Sequence, residues 1–556
     1  MRFPRTAASL VAACLIAAAP GAQAASHDML TIGIAQFPSS LHPNIDPEVV
    51  RAYALGFAIR PITAFNAEWR NTCLLCAELP TLENGLARIE DRPDGTQGMA
   101  VTIKLKPGLA WGDGQPVTAR DIAFTWKLGS NPGNGFSNAN PWSRATSVDV
   151  VDDRTAVLHL DRVRADFAQW DQILPEHIEG AIAAEATGPG EYANATRFNR
   201  APLTAGLYDG PYLVTAYDSG AQIVLEPNPH WSGEKPGFRR IVLRHIDNTA
   251  ALQANLLSGD VDMVAGEGIG LTIDQVLALQ KQHPDRFRYT FKPSLTYEHI
   301  DLKTENPLLA DVRVRRALLM AIDRQTMVDR LFQGTQPVAT TWVSPLNPNH
   351  DPSIAVVKHD PAGAKALLKE AGWTPGADGI CRNAAGDRLS FEFSTTAGNR
   401  LRELQQQVVQ SNFRNVGIEV AIKNEPARTL FGETLKKRTY TGLVMYAWSS
   451  NVTETPLRTL GSSQIPSAAN AYGGANYPGF SDAQMDADIT AAQSELDAAK
   501  RKRIWADMQR IYAEKLPALP LFFRSEAHVT PTWLRGYTPT RQADPSTDWA
   551  EQWHAE

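Results

Sequence analysis

At 556 residues the chain exceeds what one hydrophobic core fills, so two or more lobes are expected. A composition of 43% hydrophobic and 21% charged residues excludes extended disorder, and a formal charge of -6 without long basic runs argues against nucleic-acid binding. The densest basic stretch, 500–503, opens an amphipathic helix and reads as its solvated face.

Arg2 and Arg5 precede an almost wholly apolar run, 7–20, and Ala22-Gln23-Ala24 supplies a small-x-small cleavage pattern. Residues 1–24 are therefore read as a signal peptide. Cys14 imitates a lipoprotein site, but the apolar run before it is short and continues past it, so a free extracytoplasmic chain is expected rather than a lipid anchor. No later segment reaches the length of a membrane span.

The alternation of LTIGIAQF, 30–37, predicts an early strand. Cys73 and Cys76 follow with two residues between them, and in an oxidising compartment a small disulfide ring and two ordinary thiols are both open. Strands are predicted at 101–105 and 156–160. Between them Trp111, Asp113, Gly114 and Pro116 form a tight turn, and Thr118 followed three residues later by Asp121 is the pattern of a capping box, with Phe124 and Trp126 packing from the helix it opens. Asp113 has no histidine, cysteine or second carboxylate close in sequence, so it reads as a turn residue rather than a catalytic one.

A hairpin is predicted within 210–231, turning at Asp218-Ser219-Gly220, with Trp231 as a packing anchor and a further strand at 239–246. An extended crossover is expected over 291–302, then a helix over 311–323 with Val314, Ala317, Leu318 and Ala321 on one face. Asp360-Pro361 starts a helix that runs to Ala371 and stops at Gly372. The last helix begins near Asp497, buries Ile504, Met508, Ile511 and Tyr512, and ends before Pro517.

The sequence has no GxSxG elbow, HExxH or phosphate loop, and its histidines lack metal-ligand spacing. Catalytic groups assembled from distant segments stay open at this point, as does a large cleft protein that captures a solute.

Taken in order, Leu109, Trp111, Asp113, Gly114, Pro116, Thr118 and Asp121, then Gly210-Pro211-Tyr212, Asn228-Pro229, Gly259-Asp260-Val261-Asp262, Val314-Arg315 with Ala317-Leu318, and Leu519-Pro520-Leu521 resemble the dipeptide/oligopeptide-binding proteins of ABC importers, extracytoplasmic solute-binding protein family 5. The resemblance implies an α/β, periplasmic-binding-protein-like fold of two lobes with a hinge and an inserted subdomain, type II and cluster C-like. It implies a discontinuous lobe I of 25–75, 200–290 and 515–556, an inserted subdomain of 76–199, and a lobe II of 291–514. It further implies a monomeric binding protein rather than an enzyme. Such a receptor needs no cofactor or metal and delivers a peptide or peptide-like solute to a membrane permease. A secreted hydrolase and a peptide-holding chaperone or signalling receptor are the alternatives.

In peptide-binding relatives a strand ending in tryptophan is followed three positions later by an aspartate that pairs with the ligand's amino terminus. Here Trp448 matches, but Asn451 stands at the aspartate position and cannot neutralise an ammonium. Either Glu454 replaces the charge or the ligand lacks a free amino terminus. Ligand-site candidates are Trp448 and Asn451, then Tyr446 and Glu454. Asn470, Asn476 and Tyr477 offer neutral hydrogen bonds or an aromatic surface if their loop reaches the ligand, and only shape that loop otherwise.

Overall fold

The computed structural model describes residues 27–45, 48–137, 141–540 and 544–556; the predicted signal peptide and Cys14 lie outside them. Ten strands form one mixed sheet: β1 (Met29–Ile34), β2 (Tyr212–Asp218), β3 (Gln222–Pro227), β4 (Arg240–His245), β5 (Met263–Val264), β6 (Phe287–Leu302), β7 (Ser390–Ser394), β8 (Glu419–Ile422), β9 (Leu443–Ser449) and β10 (Ala518–Pro531). Their spatial order is β8-β7-β9-β6-β10-β5-β1-β4-β3-β2. The long strands β6 and β10 run antiparallel from one half of the sheet into the other, and their register shifts between Pro293 and Tyr297. Such an irregularity lets a strand bend locally.

The predicted hairpin is β2–β3, closed by the turn at Gly220 with φ +75°. The first strand is shorter than the alternation suggested, because the chain leaves the sheet after Ile34 and Ala35 donates to the carbonyl of Ile269 instead. Leu30, Ile32, Leu225, Ile241 and Leu243 fill one core, which continues without a break into a separate four-stranded sheet through Ile103 and Leu158. A second core gathers Ile300, Leu318, Phe391, Val409, Leu443 and Leu519.

The helices follow their sequence signals with instructive offsets. Helix α1 (Ala119–Gly129) starts on the Thr118–Asp121 capping box. Helix α2 (Ile273–Gln282) follows a second box at Thr272 and Gln275. Helix α3 (Val312–Ala321) is capped by Asp311, while Asp323 caps the next helix rather than ending this one. Helix α4 (Pro361–Glu370) begins on Asp360 and gives way to Gly372 at φ +88°. Helix α5 (Arg400–Asn415) packs on the second core through Val409 and Phe413. Helices α6 (Ala483–Ser494) and α7 (Ala498–Lys515) complete that side. In α7 the buried residues are Trp505, Met508, Gln509 and Tyr512, with Ile504 and Ile511 only half-buried. The stripe is turned because Trp505 takes the deep seat and the Gln509 amide bonds the carbonyls of Trp505 and Asn349.

Trp231 is not a core anchor: it is half-buried, its indole donates to the Glu234 carbonyl, and the Arg60 guanidinium lies 5.4 Å from its ring. No helix among the described residues is long and apolar enough to cross a membrane.

Candidate functional site

The tight turn at 111–116 is a packing corner. Trp111 is buried, Gly114 adopts φ +87°, and Asp113 accepts from the Gln115 amide at 3.1 Å. Its other oxygen meets His177 at 2.9 Å, a partner 64 residues away that proximity in sequence could not reveal. Asp121 caps α1 at 2.8 Å from the Thr118 amide and also accepts from Glu176, tying the helix start to the next segment. Burial pushes the Asp121 carboxyl up and these bonds pull it back. Cys73 and Cys76 form a disulfide with Cα atoms 5.1 Å apart.

The ligand-site candidates converge elsewhere. In β6 and β9, Tyr297 pairs with Trp448 and His299 with Tyr446, so strand alternation sets Tyr297, His299 and Asp301 on one face beside Tyr446 and Trp448. The His299 ring stacks on Tyr297 at 4.7 Å and meets the edge of Tyr446 at 4.6 Å. Tyr446 donates its hydroxyl to Asp301 at 2.5 Å, and His299 Nε2 lies 3.3 Å from the other Asp301 oxygen. Burial and the neighbouring Asp301 carboxylate keep the Tyr446 phenol protonated far beyond its ordinary range, so it serves as a fixed donor. Tyr297 and Tyr512 share a hydroxyl contact of 2.5 Å, and Tyr512 continues to the Ala518 carbonyl at 3.2 Å.

This aromatic floor lines a cavity that Trp342 and Trp448 wall and Glu454 and Arg458 border. The Arg458 guanidinium lies 5.3 Å from the Trp448 ring centre, within cation–π range. The Glu454 carboxyl is open to solvent at the mouth, yet the surrounding protein removes enough water to push it up. The backbone amide of Asn451 and the charge of Arg458 pull the other way.

Of the residues singled out from sequence, Tyr446, Trp448 and Glu454 line the cavity. The Asn451 side chain does not line it; Asn451 instead supports Glu454 through its backbone. Asn476 is fully buried; its amide nitrogen donates to the carbonyls of Gly461 and Phe480 and its oxygen accepts from the Phe480 amide, so it braces the loop. Asn470 is exposed and accepts from the Ser467 amide, capping a short helical turn away from the cavity. Tyr477 packs in the cluster behind Tyr446, with ring centres 6.3 Å apart. Sequence reasoning missed His299, Asp301, Trp342, Arg458 and Tyr512. For the first two the signal was present, since TYEHIDL alternates Tyr297, His299 and Asp301 onto one face.

Beside Glu454 the chain meets segments distant in sequence. Val452 packs with Phe65, Trp69 and Leu295, and Thr453 Oγ1 exchanges hydrogen bonds with the Gln169 amide at 2.9 and 3.2 Å. The Ala165 amide donates to the Gln493 carbonyl at 2.9 Å.

A continuous mixed sheet whose halves are joined by two long antiparallel strands, with a cavity lined from those strands, is the two-lobe α/β architecture of periplasmic solute-binding proteins. The fold superimposes on the crystal structure of an oligopeptide-binding protein from Thermus thermophilus complexed with a pentapeptide, with a TM-score of 0.67 and 30% identity, covering 95% of this chain and 96% of that one. It also matches NikA from Brucella suis in complex with Fe(III)-EDTA, with a TM-score of 0.75 over 95% and 100% of the two chains; at 20% identity this likeness concerns the fold alone. The oligopeptide-binding protein AppA of Bacillus subtilis (strain 168) is 26% identical over 450 residues, 79% of this chain and 78% of that protein. Residues 85–467 match the middle region of the bacterial extracellular solute-binding proteins, family 5, and the chain belongs to that family. Members of the family are binding proteins rather than enzymes.

Proposed function

We propose that the chain is the extracytoplasmic receptor of an ABC importer and that it captures a peptide or peptide-like small solute in the cavity beside Trp448. The observation that carries this reading is the cavity itself: an aromatic enclosure on the β6–β9 face, with one carboxylate and one guanidinium at its mouth and a rim bonded to the opposite lobe. Glu454 then supplies the counter-charge for a ligand ammonium that Asn451 lacks, and Trp448 supplies the flat apolar wall.

The lobes of the receptor are 25–75, 200–290 and 515–556 for lobe I and 291–514 for lobe II, with 76–199 inserted and 1–24 removed as a signal peptide. Two separate cores support a division into two lobes, although Leu516, Leu519, Leu521 and Phe522 pack in the second core with residues of 291–514, so the return to lobe I falls further along β10. A ligand that touches the cavity and the rim favours the closed arrangement by its extra affinity for that state, and a permease distinguishes the closed surface. The chain acts as a monomer.

No bond is broken in this mechanism. Asp301 is engaged by Tyr446 and His299, and His299 Nδ1 faces the Tyr297 carbonyl at 3.2 Å, an arrangement that suits a fixed polar floor better than proton transfer. The test is incubation of the purified chain with a defined mixture of short peptides, followed by mass spectrometry. Stoichiometric retention of a subset without products is expected, and progressive conversion to fragments contradicts the reading in favour of a hydrolase.

A further inference from the structure

Thr296 and Glu298 lie on the face of β6 opposite Tyr297 and His299, and Thr296 lines a second pocket there. One wall is the glycine-rich strap 265–272 leading into α2. The other is built by Ser294, Thr296 and Arg524 to Glu526.

The charge on this wall is unbalanced. Glu298 is 0% exposed and accepts from two arginines: Arg402 Nε at 2.7 Å on one oxygen, and Arg524 Nε at 2.9 Å and Nη2 at 2.5 Å on the other. Burial alone would push the Glu298 carboxyl up, but Arg524 and Arg402 hold it below the usual carboxylate range, so it stays ionised. One carboxylate thus serves two guanidinium groups. Arg402 is buried in α5, and its Nη1 donates to Thr396 at 3.1 Å. Arg524 keeps 41% of its side chain exposed and lines the pocket, so the surplus positive charge faces the cavity.

The other ionisable side chain on the wall is Glu526, whose Oε1 is buried without a hydrogen-bond partner. Burial, with Glu267 on the strap adding to it and Lys292 across the strand pair opposing it, pushes the Glu526 carboxyl up to about 8. Lys292 is held off by the carbonyls of Ala67 and Pro539, each at 2.6 Å. His528, two residues along β10, is kept uncharged by burial down to about pH 3. From the C-terminal segment, Asp548 and Tyr537 face Glu267 in turn. At neutral pH the pocket therefore presents a guanidinium and a protonated carboxyl, both hydrogen-bond donors.

We propose that this pocket is a second ligand site that binds a small-molecule oxyanion, a carboxylate or a phosphate, through the open edge of Arg524 with Glu526 as a second donor. The site lies across the sheet from the aromatic cavity and stands apart from the receptor reading.

The test is isothermal titration of the full chain with succinate and, separately, with inorganic phosphate at constant ionic strength. Saturable one-to-one binding of at least one anion is expected, and the preferred one identifies the chemistry. Arg524→Gln should weaken it at least tenfold, and Arg524→Lys should restore most of it by keeping the charge. Between pH 7 and pH 9 the wild-type affinity should fall several-fold as Glu526 ionises beside the anion, whereas Glu526→Gln should hold its affinity constant. Absence of saturable binding in the wild type, or unchanged affinity in an Arg524→Gln chain of native circular dichroism, overturns the site. Peptide retention without anion binding overturns this inference and leaves the receptor reading intact.

Discussion

Glu454 borders the cavity while Asn451 reaches it only through the backbone amide that supports Glu454, so under the proposed reading mutations at the two positions should have unequal effects. Glu454→Gln is expected to weaken a peptide with a free ammonium about tenfold, ~1.4 kcal/mol, relative to its acetylated form. Asn451→Asp should strengthen the free-amine form by less than that. Titration of both variants with a matched pair of peptides reads the difference, and equal losses for free and acetylated forms would remove the charge from Glu454. Deeper in the cavity, Tyr446→Phe deletes the hydroxyl that satisfies Asp301, and a buried acceptor left open costs about 1–3 kcal/mol. Urea unfolding should show a lower midpoint with an unchanged slope; an unchanged midpoint would mean that Asp301 finds another donor. At this scale the sequence was only partly legible. Trp448, Tyr446 and Glu454 stood out through their family register, whereas Trp342, Arg458 and Tyr512 come from three separate segments and meet only when the lobe folds. Asn476 misleads for a physical reason: an asparagine in a glycine-rich loop looks available, but its amide is the loop's internal brace.

Among the elements, β6 and β10 matter most, because they belong to both halves of the sheet and carry Glu298 and Arg524, which Arg402 of α5 joins in one cluster. Glu298 has a folded-state pKa below its unfolded value, so its stabilising contribution is fully present above the ordinary carboxylate range, about 4.3, and is lost as the pH falls through the depressed folded value. Glu298→Gln should cost about 3–5 kcal/mol near pH 7, since it leaves two arginines around a neutral partner, and the deficit should shrink at pH 3. Chemical denaturation at both pH values checks this; a deficit that does not change with pH would show that Glu298 acts by packing alone. Hairpin and capping signals were readable because turn and cap chemistry is local, as at Gly220, Thr118–Asp121 and Asp360–Gly372. The burial stripe of α7 was not, because periodicity fixes a face only to within a residue, and the competition between Trp505 and Ile504 is decided by the partners they meet.

For the whole molecule, the sheet order places the N-terminal strand, a central hairpin and a C-terminal strand in one sheet, which no local pattern announces. The ordered marks from Leu109 to Leu521 carried that long-range information through resemblance alone. Next to the aromatic cavity, Thr453 bonds Gln169 and Val452 packs with Trp69, contacts that under the proposed division tie one lobe to the other. Solute in the cavity should therefore be sensed by the lobe arrangement, which is what a receptor requires. The most direct measurement is native mass spectrometry of the chain purified from its own extracytoplasmic compartment, alongside Trp448→Ala. The expected result is a defined small-molecule mass at near-stoichiometric occupancy in the wild type, released on denaturation and largely lost in the variant. A wild-type chain that neither carries nor takes up a small solute, or a retained mass indifferent to Trp448, would contradict the assignment of the cavity as the binding site.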